Sequence, residues 1–463
     1  MRFSMPVLRQ SRLCGSAVVA AAAIVAATLS PFMAAPAEAV AIERVVSAKG
    51  VEAWLVRDRS VPVVSMQFAF RGGSALDPAG KEGLSNLVAG LLDEGAGSLN
   101  SQEFQRRLED NSVSLGFDSS VDSVGGSLRT LKRNETMAFD LLRLALNVPR
   151  FDESAVEKVK TQTRAWLSGA AENPRRIAGR VLARTAFGDH PYGRSAEGTR
   201  QSVESLKPAD FEAYVKRRFV RDRLVVGVVG DITAEELKPR LDAVFGALSS
   251  SSGPIELPQV APALAGQVFV IDKKIPQSVV TFGQAGLSRQ DPDYYIAYVM
   301  NQAFGGGGLT SRLMEEVREK RGLAYGVNTS LAPYDRSALI TGGVATQNDR
   351  VGESIDIIRK EWAKLRDAGL TDEELADTKT YLTGSFLTNI DSTGRMASLL
   401  VGIQLENLGI DYLDKRNGFI EAVSQDDVRR VAQRLLDPAK LTFVVVGQPK
   451  GVMATAPAPP IED

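Results

Sequence analysis

The sequence predicts an α+β protein of two homologous domains, each a mainly antiparallel sheet covered by helices, joined by a linker as one half of a clamshell. Three observations predict this architecture. Five segments of the first half recur in the same order in the second, at an offset of about 214 to 220 residues. A serine-rich stretch, 249–254, lies between the halves. Each half mixes β-rich runs with amphipathic helical patterns of similar extent.

The repeated segments are strand and helix-start signals. Residues 61–70 and 277–283 are predicted buried strands, and each precedes an Asp-Pro pair whose aspartate can cap a helix and whose proline can begin it. The remaining pairs are 152–160 with 372–379, 176–177 with 395–396, and the glycine-terminated β-rich runs 224–230 with 441–447. The period is far too long for a solenoid, so the pattern indicates a duplicated domain.

These signals divide the chain into five parts. They are a signal peptide (1–39), an N-terminal domain (40–248), a linker (249–262), a C-terminal domain (263–450) and a tail expected to be disordered (451–463). The linker prediction rests on the serine, glycine and proline content of its first residues, which is typical of flexible segments.

The first 39 residues have the order of a secretory signal peptide. Basic residues come first, then an apolar stretch from about residue 15 to 33, then the small-x-small site Ala37-Glu38-Ala39. The alternative is a membrane anchor, but a spanning helix needs about 20 apolar residues with no processing site behind them. We therefore expect a periplasmic protein that begins near Val40, and no later segment has the pattern of a membrane span.

The composition of residues 40–463 argues against several kinds of binding and catalysis. Removing residues 1–39 takes three arginines and one glutamate from 55 basic and 56 acidic residues, which leaves a net charge of about −3. Nucleic acid is therefore not expected as the main partner, because phosphate binding needs clustered positive charge. Cys14 is lost with the signal peptide, and His190 is the one histidine. A catalytic zinc site needs two or three His or Cys ligands, and Ser-His-Asp catalysis would need that same histidine.

The first helix after Asp77-Pro78 carries a core-facing stripe of Leu84, Leu87, Val88, Leu91 and Leu92. Here the chain resembles the insulinase (pitrilysin) family of zinc peptidases, the inverzincins. The resemblance rests on Gly-Lys-Glu-Gly-Leu at 80–84, on the strand before it and on the Gly95-containing stretch after it. It extends over nearly the whole chain after the signal peptide, linker and duplication included.

The resemblance implies a zinc helix with His-x-x-Glu-His just after the Gly-Leu pair. In register, those positions are Asn86, Ala89 and Gly90, and the stretch matching the third ligand, 163–167, has no carboxylate. We therefore expect no metal in this chain. Glycine inside a helix costs about 1 kcal/mol relative to alanine, so Gly90 is expected to serve close packing. His190 matches a non-catalytic family segment and is expected in a turn.

Four glycines, Gly305, Gly306, Gly307 and Gly308, follow a helix of the second half. They either line a peptide chamber and contact substrate, or simply stop the helix, and composition leaves both interpretations open. A phosphate loop is not indicated, because no Gly-Lys-Ser/Thr follows.

Arg318 and Tyr325 stand seven residues apart, with Gly322 between them. From the residues alone, Gly322 is predicted to end a helix, which places Arg318 in the last turn, where its charge interacts favourably with the helix dipole. Tyr325 is predicted to pack as an ordinary aromatic residue of the next strand. The resemblance implies another role. Insulinase-like proteins carry an Arg and a Tyr at this spacing in the second domain, where they face the zinc across the closed chamber and hold substrate carbonyl oxygens.

The resemblance thus implies a non-catalytic, substrate-binding subunit of a heterodimeric metallopeptidase that degrades peptides outside the cytoplasm. The partner subunit would carry His-x-x-Glu-His and the zinc, and this chain, inactive alone, would supply Arg318 and Tyr325 in trans. Two alternatives remain open. The chain is either a peptide-binding or scaffold protein of the same fold with no role in proteolysis, or an enzyme that uses other chemistry.

Overall fold

Two large sheets organise the protein, for which a computed structural model describes residues 41–386, 388 and 390–461. The predicted signal peptide lies outside the described residues. Residues 41–461 pack as one compact unit. Within the described part of the chain, no helix is both long enough and apolar enough to cross a membrane.

The first half forms a six-stranded sheet. Its strands, in spatial order, are β1 (Ile42–Val46), β2 (Glu52–Arg57), β8 (Leu224–Gly230), β3 (Val63–Arg71), β7 (Ser123–Leu131) and β6 (Ser114–Ser119). Only the β2–β8 pair is parallel, so the sheet is mainly antiparallel as predicted. A short hairpin lies apart from it, formed by β4 (Gly95–Ala96) and β5 (Leu99–Asn100).

The second half forms a five-stranded sheet of the same design. Its strands, in spatial order, are β9 (Val268–Asp272), β13 (Thr442–Gly447), β10 (Gln277–Ala285), β12 (Ala338–Gln347) and β11 (Ala324–Pro333). The β9–β13 pair is parallel, as β2–β8 is in the first sheet. The strand β10 thus corresponds to β3, and β13 corresponds to β8, which is the equivalence between the halves that the repeated segments predict. The edge strands β6 and β11 are also equivalent.

Helices cover the sheets in both halves. Those of the first half are α1 (Leu84–Leu91), α2 (Ser101–Asp110), α3 (Glu135–Asn147), α4 (Glu153–Glu172), α5 (Pro174–Phe187), α6 (Arg200–Ser205), α7 (Pro208–Arg218) and α8 (Ala234–Phe245). Those of the second are α9 (Tyr294–Asn301), α10 (Arg312–Met314), α11 (Val351–Ala368), α12 (Asp372–Gly384), α13 (Thr393–Leu405), α14 (Tyr412–Glu421) and α15 (Gln425–Leu435). Two π-helical turns, Gln302–Gly306 and Glu315–Glu319, follow α9 and α10.

The helices after the two Asp-Pro pairs begin later than predicted. The first, α1, begins at Leu84, because Gly80 and Gly83 have φ of +77° and +88° and no α-helix contains such residues. Asp77 still serves this helix, since its carboxylate accepts hydrogen bonds from the N–H groups of Gly83 and Ser85. In the second half, α9 begins only at Tyr294.

Helix α13 belongs to the second half in sequence but packs on β3 and β8 of the first sheet. Ser65 of β3 and Thr393 of α13 share a hydrogen bond of 2.8 Å. A Cβ atom on Gly227 of β8 would lie 2.7 Å from the carbonyl oxygen of Ala397, so only glycine allows this approach.

Helix α5 makes the reciprocal contact on β10 and β13 of the second sheet. Its buried residues Val181 and Leu182 share a core cluster with Val444 and Val446 of β13. The two halves therefore exchange equivalent helices, and each sheet is covered partly by the other half.

The segment 249–262 contains no helix or strand, as predicted for a linker, but it is held along its length. The side chain of Arg223 donates to the carbonyl of Gly253 (2.8 Å), and the N–H of Val260 donates to the carbonyl of Arg336 (3.0 Å). These contacts join the segment to both halves, and the flexibility expected of a linker stays a prediction.

Residues 451–461 of the predicted tail make defined contacts with the rest of the protein. Thr455 and Val268 of β9 exchange two hydrogen bonds, of 2.8 and 2.9 Å. Ala456, Ala458 and Ile461 pack against the cluster that surrounds α5. The apolar side chains of this proline-rich segment therefore attach it to the cluster around α5.

Candidate functional site

Helix α1 presents its apolar stripe to the core, as predicted. Leu84, Leu87, Val88, Leu91 and Leu92 are at most 4% exposed. The other side of the helix carries the positions that hold the zinc motif in the resembling peptidases. These positions, Asn86, Ala89 and Gly90, line one cavity of about 530 Å³.

Helix α4 forms another wall of this zinc-position cavity. Thr163 and Trp166, from the stretch predicted to match the third zinc ligand, line it together with Gln162. A Cβ atom on Gly90 would lie 3.3 Å from Cγ1 of Val159 in α4, which is tighter than an ordinary contact. This agrees with the expectation that Gly90 serves close packing between the two helices.

The donors in this cavity do not fit a zinc ion. Asn86, Gln162 and Thr163 offer neutral amide and hydroxyl groups. The two carboxylates of the described lining, Asp118 and Glu197, have no His or Cys beside them, whereas a catalytic zinc site typically uses two or three such ligands. Across the residues that the structure describes, no group of three or more His, Cys, Asp and Glu could hold a metal ion. We therefore derive no metal chemistry in this chain.

An arginine at this cavity was not anticipated from the sequence. The guanidinium of Arg176, in the first turn of α5, lies 4.3 Å above the ring of Trp166 and 3.9 Å from Glu197. Across the cavity, partial burial raises the pKa of Asp118 on the edge strand β6. The sequence did carry a signal of a role for this arginine. Arg175 and Arg176 are the second and third residues of α5, in the first helical turn, where the helix dipole disfavours cations.

The structure brings Arg318 and Tyr325 together. Gly322, with φ of +57°, ends the helical segment, and Tyr325 follows on β11, as predicted. The Arg318 guanidinium lies 5.0 Å from the centre of the Tyr325 ring, a cation–π contact, and its Nε atom lies 3.3 Å from Glu319. Tyr325 is 88% exposed on an edge strand, so its hydroxyl is accessible to another molecule.

The four glycines separate into two groups. Gly305 is buried, and a Cβ atom there would lie 2.4 Å from Oγ1 of Thr329 on β11, so it serves packing where the helix stops. Gly306 and Gly308 are exposed, and Gly307 lines a cavity with residues of α12. A separate pocket lies beside Tyr325, and among its described lining residues there is none of these four glycines. A substrate contact for the exposed glycines stays a prediction.

His190 lies in a turn, as expected. Its Nδ1 atom accepts the N–H of Tyr192 at 3.2 Å, and its Nε2 atom lies 3.0 Å from the carbonyl oxygen of Pro258. The ring thus holds the segment between the halves, and both ring nitrogens have structural partners.

Comparison with known proteins agrees with this geometry. Two family models match, "Insulinase (Peptidase family M16)" at residues 53–200 and "Peptidase M16 inactive domain" at residues 205–382. A "Non-peptidase homolog YmxG" from Helicobacter pylori is 27% identical over 91% of this chain and 97% of its own length. An "Uncharacterized zinc protease YmxG" from Bacillus subtilis is 23% identical over 77% of this chain and 86% of its own.

A solved structure supports the same conclusion. The crystal structure of a "peptidase M16 inactive domain" from Pseudomonas fluorescens superimposes with a TM-score of 0.83 and 25% identity, over 90% of this chain and 100% of the other. Fold and site together define a zinc-peptidase architecture without zinc ligands. The chain belongs to the insulinase family, peptidase family M16, as a non-catalytic member.

Proposed function

We propose that this chain is the non-catalytic, substrate-binding subunit of a heterodimeric insulinase-like zinc metallopeptidase that degrades peptides in the periplasm. A partner subunit with His-x-x-Glu-His supplies the zinc, and this chain supplies Arg318 and Tyr325. It contributes to peptidase activity only in that complex, and it needs no metal of its own.

The observation that carries the proposal is the exposure of Tyr325. A tyrosine kept for packing would bury its ring, yet this one is 88% exposed on an edge strand. Its ring is fixed from one side by the Arg318 guanidinium, 5.0 Å away. The Tyr325 hydroxyl forms no hydrogen bond with the described residues, so its donor could stabilise an oxyanion on a substrate bound by a second molecule.

The vacated zinc motif supports the same division of labour. A chain that has lost metal ligands but keeps an Arg–Tyr pair with an exposed tyrosine retains one half of a peptidase site. The relative named a non-peptidase homologue shares most of this chain's length, which fits a family branch that acts without its own zinc.

The test is the kinetics of the complex reconstituted with a zinc-bearing partner. Tyr325→Phe removes one donor and keeps the ring, so kcat should fall roughly 10²–10³-fold. Arg318→Lys keeps the charge and loses the planar fork, so KM should rise. Tyr298→Phe, at a half-buried tyrosine of α9 whose hydroxyl forms no hydrogen bond with the described residues, is the control and should leave turnover unchanged.

Assembly and zinc content must stay normal in all variants, as checked by gel filtration and metal analysis. If Tyr325→Phe assembles normally and keeps full kcat, this chain does not complete the active site. A peptide-binding or scaffold role, without proteolysis, would then replace the proposal.

A further inference from the structure

A pocket of about 480 Å³ lies beside Tyr325. Its described lining is almost entirely neutral, with glycines, small apolar residues and three amide side chains from the sheet. Those amides belong to Gln277, Asn328 and Gln347. The one charged side chain among the described lining residues is Arg175, which reaches the pocket from α5 of the other half.

Arg175 occupies a position that helix energetics disfavour. It is the second residue of α5, whose first turn contains no acidic residue, and the Asn173 side chain already accepts the N–H groups of Arg175 and Arg176. A cation at a helix N-terminus is disfavoured, because that end of the helix dipole carries a positive partial charge. The guanidinium of Arg175 is exposed and forms no ion pair with the described residues. A residue that is unfavourable for its own helix is expected where its side chain binds a ligand.

The neighbouring cations are already engaged. Arg176 stacks on Trp166 at 4.3 Å and faces the zinc-position cavity. Arg318 lies over Tyr325, and its charge is offset by Glu319 at 3.3 Å. The unbalanced charge of the Tyr325 pocket therefore comes from Arg175.

We propose that the Tyr325 pocket binds a carboxylate of the peptide, with Arg175 as its cation. The carboxylate belongs either to the peptide's C-terminus or to an Asp or Glu side chain. A guanidinium presents a planar fork that matches a carboxylate, and the amides of Gln277 and Asn328 provide further donors. This inference rests on the proposed function, because it assigns a substrate class to the same Tyr325 surface.

The test measures binding of short fluorescent peptides to the full chain by anisotropy. Three peptides of one neutral sequence are compared: one with a free C-terminus, one amidated with a single glutamate, and one amidated without any acid. A hydrogen-bonded pair with a charged group contributes about 1.5–3 kcal/mol, so a carboxylate-bearing peptide should bind roughly 10- to 100-fold more tightly than the neutral one. Whichever acidic peptide binds more tightly identifies the source of the carboxylate.

Variants isolate Arg175. Arg175→Gln should remove the preference, and Arg175→Glu should remove it without lowering Tm, because an acid suits the first helical turn. Arg133→Gln, at an exposed arginine that lines neither cavity, should keep it. Equal affinity for all three peptides, no measurable binding, or a preference that survives Arg175→Gln would overturn the inference.

The two proposals fail separately. If the peptides bind equally while Tyr325→Phe lowers kcat of the complex, the carboxylate assignment is wrong and the subunit role stands. If the preference depends on Arg175 while Tyr325→Phe leaves kcat unchanged, the pocket binds acidic peptides and the subunit role is wrong.

Discussion

The hydroxyl of Tyr192 donates a 2.7 Å hydrogen bond to Oδ1 of Asp122, and through it the two halves of the chain are joined. The other carboxylate oxygen accepts the N–H of Asp335 at 3.1 Å, and the Tyr192 oxygen accepts the N–H of Arg336 at 3.0 Å. Asp122 lies in the β6–β7 turn and Asp335 in the equivalent β11–β12 turn. One carboxylate therefore connects the corresponding hairpins of the duplicated domains.

Tyr192→Phe should lower the free energy of unfolding by about 1.5–3 kcal/mol, because it leaves a partly buried carboxylate without its hydroxyl donor. Urea denaturation measures the loss. Tyr334→Phe is the control, since that ring lies 4.9 Å from Tyr192 but its hydroxyl forms no hydrogen bond with the described residues. Equal effects of the two changes would show that the Tyr192–Asp122 hydrogen bond contributes no measurable stability.

The stability of the protein should rise as the pH falls from above 7, partly through Asp77. Burial raises the pKa of this carboxyl to about 7, despite its hydrogen bonds from Gly83 and Ser85 and the charge of Arg218. Since the unfolded pKa is near 3.9, the folded state binds the proton more tightly, and stability is gained as pH falls toward 4. Asp77→Asn should reduce the slope of Tm against pH between about 8 and 5. An unchanged slope would mean that Asp77 titrates normally.

Gly227→Ala should lower the free energy of unfolding by about 1–3 kcal/mol, the usual cost of overpacking. The added methyl would lie 2.7 Å from the carbonyl oxygen of Ala397 and 2.8 Å from Cβ of Leu400, so α13 must move off the first sheet. Gly116→Ala on the edge strand β6 has no atom within 4 Å and should be neutral or stabilising. A neutral Gly227→Ala would contradict the close seating of α13.

The purified chain should contain far less than one zinc per molecule and cleave no peptide by itself. Restoring the motif with Asn86→His, Ala89→Glu and Gly90→His should not create an active peptidase, because 163–167 supplies no carboxylate and the Gly90 side chain would press on Val159. Metal analysis and peptide hydrolysis provide the measurements. One tightly held zinc in the unmodified chain would refute the assignment.

Local patterns predicted much of this structure. The stripe on α1, the strands of both halves, and the helix end at Gly322 that precedes the strand of Tyr325 all depend on residues close in sequence. The degenerate zinc positions could be located in the same way, because the resemblance fixes them in register on one helix.

The features that the sequence did not predict depend on long-range packing. An amphipathic pattern shows that α5 and α13 each bury one face, but it does not show which sheet covers that face. The stacking of Arg176 on Trp166 depends on how α5 leaves α4. The contacts of the tail could not be predicted, because its partners, such as Val268, lie far away in sequence.

The exchange of α5 and α13 also sets the order in which the protein can fold. The close contact between Gly227 of β8 and Ala397 of α13 can form only after α13 has been synthesised. The first sheet therefore cannot be fully covered before the ribosome has passed the end of α13. Such distant contacts slow folding, because the intervening loop must close before they form. The first half therefore cannot cover this surface of its sheet until the second half has been synthesised, and an N-terminal fragment would leave the α13-facing surface of β3 and β8 bare.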